Sequence, residues 1–231
     1  GNEHSENLKA GADARLVRKT PAMYAILGGD YMDNWIVRSL QHLQREQVVP
    51  HDEEWIATKY WLSLFGDSIL AVIAGNHDNR TPLVSGFDVL REHLFTSVKG
   101  GNLLYDPFEL IIDVAHGEHI TRLKTRHKWR GHSMWNPTHG IERDLRMNDP
   151  TWDVGFAGHK HAQCVVREFD HNGEKKYAIQ VGTYEYHNEF GRMNGFGKLQ
   201  GSGSVAFIMW PDGRKMVTEH LDIAAQILQM G

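Results

Sequence analysis

"SILAVIAGNHDNR", residues 68–80, runs from an apolar stretch straight into a polar turn. Ile69, Val72 and Ile73 favour extended backbone, and a short apolar run closed by a glycine reads as a strand. Gly75 ends that run, and Asn76, His77 and Asp78 follow at once. An amide, an imidazole and a carboxylate just beyond a strand end lie where ligands gather in open α/β sheets.

The same arrangement recurs on both sides of this stretch. "AMYAILGGD", residues 22–30, reads as a buried strand ending in Gly28 and Gly29, with Asp30 and Asp33 just past it. "FELIIDVAHG", residues 108–117, ends in His116, and "VGFAGHKHAQ", residues 154–163, carries His159 and His161 after Gly158. Side chains at i and i+2 of an extended segment share a face, so the last two imidazoles can converge.

Between the strands lie helical patterns. Residues 5–19 form one, anchored by Leu8, Leu16 and Val17. Ile36, Val37, Leu40 and Leu43 mark a second from about Asn34 until Pro50. Asp52 is placed to cap a third, through Trp55, Ile56, Tyr60 and Leu64, and a short one is expected around residues 86–94. The last third reads as strands: "QCVVREF", "KKYAIQVGT", "GSVAFIMW" and "KMVTEHL". Alternation first and strands later predict an α/β chain with mixed sheets, organised as one domain over 1–231.

Composition narrows the class. With 231 residues, 41% hydrophobic and 23% charged, the chain has material for one substantial core. A net charge of -4 argues against a coat of nucleic acid, although a local basic patch is compatible with it. The single cysteine forms no internal disulfide, so a reducing, cytoplasmic setting is expected. No apolar run approaches the roughly 20 residues of a membrane span, and no membrane partner is expected. The four polar turns offer oxygen and imidazole donors, which suit manganese, iron or zinc rather than a thiolate site.

"GDYMD", "GNHD", the His-Gly of "VAHG" and "GHKH" together resemble, in order and over most of the chain, the motifs of the calcineurin-like metallophosphoesterases. The resemblance implies a four-layer αββα sandwich, in which two mixed β-sheets pack face to face with helices outside. It further implies a phosphoester hydrolase with two divalent ions, manganese foremost and iron or zinc as alternatives. Asp30 would bridge the ions. Asn76, His116 and His159 would complete the second ion's shell, and His161 would belong to the first. His77 would stand beside the scissile phosphate without binding metal, and Asp78 would hold its imidazole in position. Asp33 would either reach the site or cap the following helix.

One family motif is absent. The first strand of these enzymes ends in Asp-x-His, which supplies two ligands to the first ion, and no Asp-x-His precedes "GGDYMD". The chain opens on Gly1, and the expectation is a sequence that starts just after the motif, with the first strand missing. The first ion would then keep Asp30 and His161 alone and be depleted. His4 is a conceivable substitute, without support from its spacing. The alternative is a natural departure, with one ion or none.

The resemblance implies a phosphoester substrate. "TRLKTRHKWRGH", residues 121–132, holds Arg122, Lys124, Arg126, Lys128 and Arg130 at alternate positions. That face suits a phosphate backbone, with Arg126 in contact and Trp129 stacking on a base, which favours a phosphodiesterase or nuclease. The plainer reading of the same residues is a solvated basic loop or helix face. Arg80, two residues after Asp78, is placed to meet a phosphate, and Tyr184 and His187 stand past another strand end. Three alternatives remain: a phosphomonoesterase or phosphoprotein phosphatase, a non-catalytic scaffold with a degenerate metal site, and a small structural zinc module. Structural zinc prefers thiolates, which disfavours the last.

Overall fold

The computed structural model describes residues 7–34, 36, 50–97, 103–131, 133, 135–161, 163–185 and 203–230. Val37, Leu40 and Leu43 of the expected second helix, His4 and His187 lie outside the described residues.

Two sheets and a hairpin carry the strands. β1 (Ala25–Leu27), β2 (Ile69–Ile73) and β3 (Leu104–Asp106) form a parallel sheet in that order. The second sheet contains β4 (Glu109–His116), β5 (His119–Arg126), β6 (Val154–Ala157), β7 (Val165–His171) and β8 (Glu174–Gln180). Its order is β4-β5-β6-β8-β7; β5, β6 and β8 run parallel, while β4 and β7 are antiparallel at the two edges. β9 (Ala206–Met209) and β10 (Lys215–Thr218) make an antiparallel hairpin. The helices are α1 (Asn7–Lys19), α2 (His51–Ser63), α3 (Arg80–Ser85), α4 (Val89–Ser97), α5 (His139–Met147) and α6 (Leu221–Met230). The chain is therefore mixed α/β. Among the described residues, no helix is long and apolar enough to cross a membrane.

Burial explains why the elements sit as they do. Ala14 and Val17 of α1, Trp55 and Leu62 of α2, Leu90 and Leu94 of α4 and Ala224 of α6 share one apolar cluster with Leu27, Val72 and Ile208. Ile26, Leu70 and Ala71 point into another, which also takes Ile112, Leu123, Val154, Tyr177 and Ile179 of the second sheet. A third gathers Ile141 and Leu145 of α5 against Trp129, Trp152, Ala157 and Ala178. At Gly155 of β6 a Cβ would lie 2.3 Å from Ile141 Cγ2, so α5 approaches this strand too closely for any side chain there.

Several expectations need correction. α2 begins at His51 behind Pro50, with no side-chain cap, and Asp52 sits inside its first turn, where a carboxylate favours the helix dipole. "KMVTEHL" is not strand throughout: β10 stops at Thr218, and Leu221, Ala224 and Ala225 then form the buried side of α6. The first half of the basic segment, residues 121–126, lies in a strand, β5. Its polar composition hides it, because Lys124 is buried with Nζ 2.9 Å from both Asp144 Oδ2 and Asp149 Oδ2.

Candidate metal centre

The turns after β1 and β2 are locked together through backbone. Asp78 is buried, and its carboxylate accepts from the N–H groups of Gly75 at 2.7 Å, Asp30 at 2.7 Å and Tyr31 at 3.1 Å. Tyr31 donates its hydroxyl to the Ile73 carbonyl at 2.9 Å, and Asn34 donates its amide to the His77 carbonyl at 2.6 Å. A Cβ on Gly75 would fall 2.0 Å from Asp30 Oδ1, so the Asp30 carboxylate occupies the space that any larger residue needs. Asp78 therefore ties two turns and does not hold the His77 imidazole, as was expected of it. Burial, then the charge of Asp30, push its carboxyl up to about 7, against the pull of the three N–H donors.

Four donor atoms converge at these turns. His127 Nε2 lies 3.1 Å from Asp30 Oδ2, 3.0 Å from Asn76 Oδ1 and 3.1 Å from His159 Nδ1. Asn76 Oδ1 is 2.8 Å from His159 Nδ1. Asp30, His127 and His159 each present one atom within 4.8 Å of the others, the one such group of His, Cys, Asp and Glu among the described residues. His127 Nδ1 is 2.7 Å from the Gly28 carbonyl, an acceptor only, so Nδ1 carries the proton. In the neutral ring the Nε2 lone pair then faces the other acceptors, the tautomer that a metal-binding imidazole requires. The cluster is richer in lone pairs than in protons to share between them. A divalent cation fits that donor set, two imidazoles with amide and carboxylate oxygens.

Backbone geometry carries a cost at this point. Asp30 has φ 59° and His159 φ 68°, both in the left-handed region that L-residues with a Cβ avoid. Such conformations cost on the order of 1–3 kcal/mol each and concentrate at functional sites. Gln180, buried, holds the His159 loop by donating its amide to the Gly158 carbonyl at 2.7 Å.

With no cation between them, Asp30 and His127 compensate each other as an ion pair. Burial works against the Asp30 carboxylate, yet the hydrogen bond and charge of His127, joined by His77, hold it well below the usual carboxylate range. Burial also disfavours a charged His127, and Asp30 outweighs it and raises the imidazole. Burial, His127 and Lys128 push His159 down to about 4.

His116 is not part of this cluster. Its Nδ1 lies 2.9 Å from the Trp210 carbonyl and its Nε2 2.7 Å from Thr121 Oγ1. The reason is strand direction: β4 is antiparallel to β5, so His116 pairs with His119 at the start of β5, while His127 emerges from its end beside β6. His127 takes the place expected of His116. The only sequence signal for it was the "KTRHK" segment, and reading that as a basic face instead of a strand concealed the residue.

The remaining candidates are dispersed around the centre. His77 donates its backbone N–H to Asp30 Oδ1 at 2.9 Å, and burial lowers its imidazole pKa. Arg80 donates from Nη1 to the Asp33 carbonyl at 2.7 Å. His161 does not join the cluster; its Nδ1 is 2.5 Å from Glu185 Oε2. Arg126 is ion-paired with Glu109. Arg122 is paired with Asp113, and Trp129 is buried, donating Nε1 to the Phe156 carbonyl at 2.8 Å, so it offers no stacking surface. Lys128 and Arg130 are the exposed cations of the segment. Tyr184 donates its hydroxyl to Asp13 at 2.7 Å and fastens the segment after β8 to α1.

Comparison of the chain with protein-family models, with curated proteins and with solved structures returns no match. Any functional reading therefore rests on the geometry of this centre.

Proposed function

We propose that this protein is a metal-dependent phosphoester hydrolase of the metallophosphoesterase type. The observation that carries the reading is the meeting of Asp30, Asn76, His127 and His159 from four separate strand ends. The apolar clusters support the four-layer arrangement that goes with it. Helices pack on one side of the parallel sheet, the second sheet meets its other side, and α5 covers the far face of that second sheet.

The chemistry a divalent cation supplies at such a site is polarisation of a phosphoryl oxygen and activation of a bound water, and manganese, iron and zinc all suit these donors. Asp30 and Asn76 would contribute the oxygens, and His127 and His159 the imidazole nitrogens. His127 keeps its orientation through Gly28, and His159 through the loop that Gln180 holds. Exposed Asn76 and half-buried His159 leave one side of the centre open to an incoming phosphoester, with Lys128 beside it. His77 and Arg80 follow Asn76 on the same turn, within reach of a phosphoryl group bound there.

The substrate is a phosphoester with no polymer implied. Ion pairs at Arg122, Lys124 and Arg126 engage three of the five cations on which the sequence argument for a nucleic-acid groove stood. Hydrolysis of bis-p-nitrophenyl phosphate and p-nitrophenyl phosphate, after chelation and reloading with manganese(II), tests the reading and separates diesterase from monoesterase. Activity that returns with manganese and is lost in Asp30→Asn is the expected result. A protein inert towards both, or equally active in Asp30→Asn, overturns it and favours the scaffold alternative.

A further inference from the structure

Beyond His127 the chain leaves β5 and makes a connection whose two ends touch. A Cβ on Gly131 would lie 3.5 Å from His139 Cδ2 and 3.7 Å from Arg143 Cδ, so the start of α5 closes against the segment that carries Lys128 and Arg130. Hydrogen bonds hold the connection from both sides. Asn136 donates its backbone N–H to Ser133 Oγ at 3.1 Å and its amide to buried Glu142 at 3.0 Å. Lys160, between His159 and His161, donates Nζ to the Pro137 carbonyl at 2.6 Å and so ties the loop of the metal centre to this connection. Trp135, next to Asn136, is nonetheless 96% exposed. Lys128 and Arg130 are exposed and Arg143 is half-buried, and none of them is paired with a carboxylate among the described residues. The cations of β5, by contrast, are all ion-paired. On a chain of net charge -4, uncompensated cations and a bare indole beside the open side of the centre are out of keeping with the rest of the surface.

We infer that Lys128, Arg130, Trp135 and Arg143 form a nucleotide subsite beside the centre, at which the indole stacks on the base and the cations meet the phosphates. The inference rests on the phosphoester-hydrolase reading above and names its substrate class, because a phosphoester that brings both a flat ring and further negative charge is a nucleotide. Stacking of a base on an aromatic face and charge-assisted bonds from guanidinium to phosphate are the interactions these side chains offer. Their extent suits a single nucleotide. A strand of nucleic acid needs a longer charged track, and the β5 cations that would extend it are engaged by carboxylates.

Isothermal titration of the whole chain with ADP in EDTA tests the subsite without calling on the metal. ADP should bind more tightly than adenosine or pyrophosphate, and more weakly as salt rises. Trp135→Ala should weaken ADP about 10- to 100-fold and leave pyrophosphate alone, and Arg143→Ala should weaken both about 10-fold. Arg126→Ala is the charge-matched control and should bind ADP as the wild type does. On the manganese-loaded protein, p-nitrophenyl thymidine 5′-phosphate should be cleaved by water to p-nitrophenol and thymidine 5′-phosphate. Its kcat/KM should exceed that of methyl p-nitrophenyl phosphate by at least about 10-fold, an advantage that Trp135→Ala removes. Absence of ADP binding, or ADP and pyrophosphate bound alike and untouched by Trp135→Ala, overturns the inference; p-nitrophenyl phosphate hydrolysed by the same sample leaves the hydrolase reading standing. Oligothymidylate bound far more tightly than ADP overturns the single-nucleotide subsite in favour of a nucleic-acid strand. ADP held through Trp135 by a protein inert towards every ester supports the subsite and overturns the hydrolase reading instead.

Discussion

His127 Nε2 lies 3.1 Å from Asp30 Oδ2, joining the end of β5 to the turn after β1. Two separate sheets meet in that one contact, and Asn76 and His159 close around it. His116 lies on the neighbouring strand, but its ring is occupied by Trp210 and Thr121. His127→Ala should therefore lower manganese affinity by at least about 100-fold and abolish hydrolysis, whereas His116→Ala should leave metal uptake as it is. Isothermal titration of both variants makes the comparison. Loss of metal in His116→Ala with retention in His127→Ala would reverse the assignment.

Asp78 is a clamp for backbone. Removing its carboxylate strands the N–H groups of Gly75, Asp30 and Tyr31 in a buried turn. A buried donor without a partner costs about 1–3 kcal/mol. Asp78→Ala should thus destabilise the fold by about 3 kcal/mol or more, read from urea unfolding, and weaken metal binding along with it. An unchanged unfolding midpoint combined with lost turnover would instead make Asp78 a partner of the His77 imidazole.

Cys164 is buried, and burial followed by the charge of Glu219 pushes its thiol up to about 12 from 9.0. The thiolate at pH 8 is then about a thousandfold scarcer than in the unfolded chain. Native protein should react with a disulfide reagent at pH 8 far more slowly than protein in guanidinium chloride. The sign of the linkage follows: above about pH 9 the unfolded chain releases a proton that the folded state keeps. Stability should therefore fall as pH climbs from 9 towards 12. Rapid labelling of native protein at pH 8 would show the thiol to be open.

Lys124 is the buried centre of a charge cluster, with Asp144 and Asp149 both at 2.9 Å and Glu109 at 3.7 Å. Breaking such a group by removing one partner costs about 3–5 kcal/mol, because the opposite charges stay buried. Lys124→Ala should show a loss of that size in chemical denaturation. Arg126→Ala, at a half-exposed pair with Glu109, should cost under about 1 kcal/mol and leave phosphoester turnover unchanged. A fall in turnover with Arg126→Ala at equal stability would return Arg126 to the substrate.

The sequence by itself determined the mixed α/β class, the strand ends after Leu27, Ile73 and Ala157, and most of the centre: Asp30, Asn76 and His159. Those features are local. Apolar runs of strand length, closed by glycine and followed by a metal-ligand side chain, are legible one segment at a time. Tertiary structure alone decided between His116 and His127, because the choice depends on whether neighbouring strands run parallel or antiparallel. Hydrogen-bonded pairing sets that direction, and composition does not. The same holds for β5, a strand with a buried lysine at its centre, which reads as a polar segment until Asp144 and Asp149 are seen around its ammonium. It holds again for Asp78 and Glu185, whose partners lie far along the chain: Asp30 and Tyr31 for one, His161 for the other. A carboxylate's role follows from the donors brought to it, and folding is what brings them.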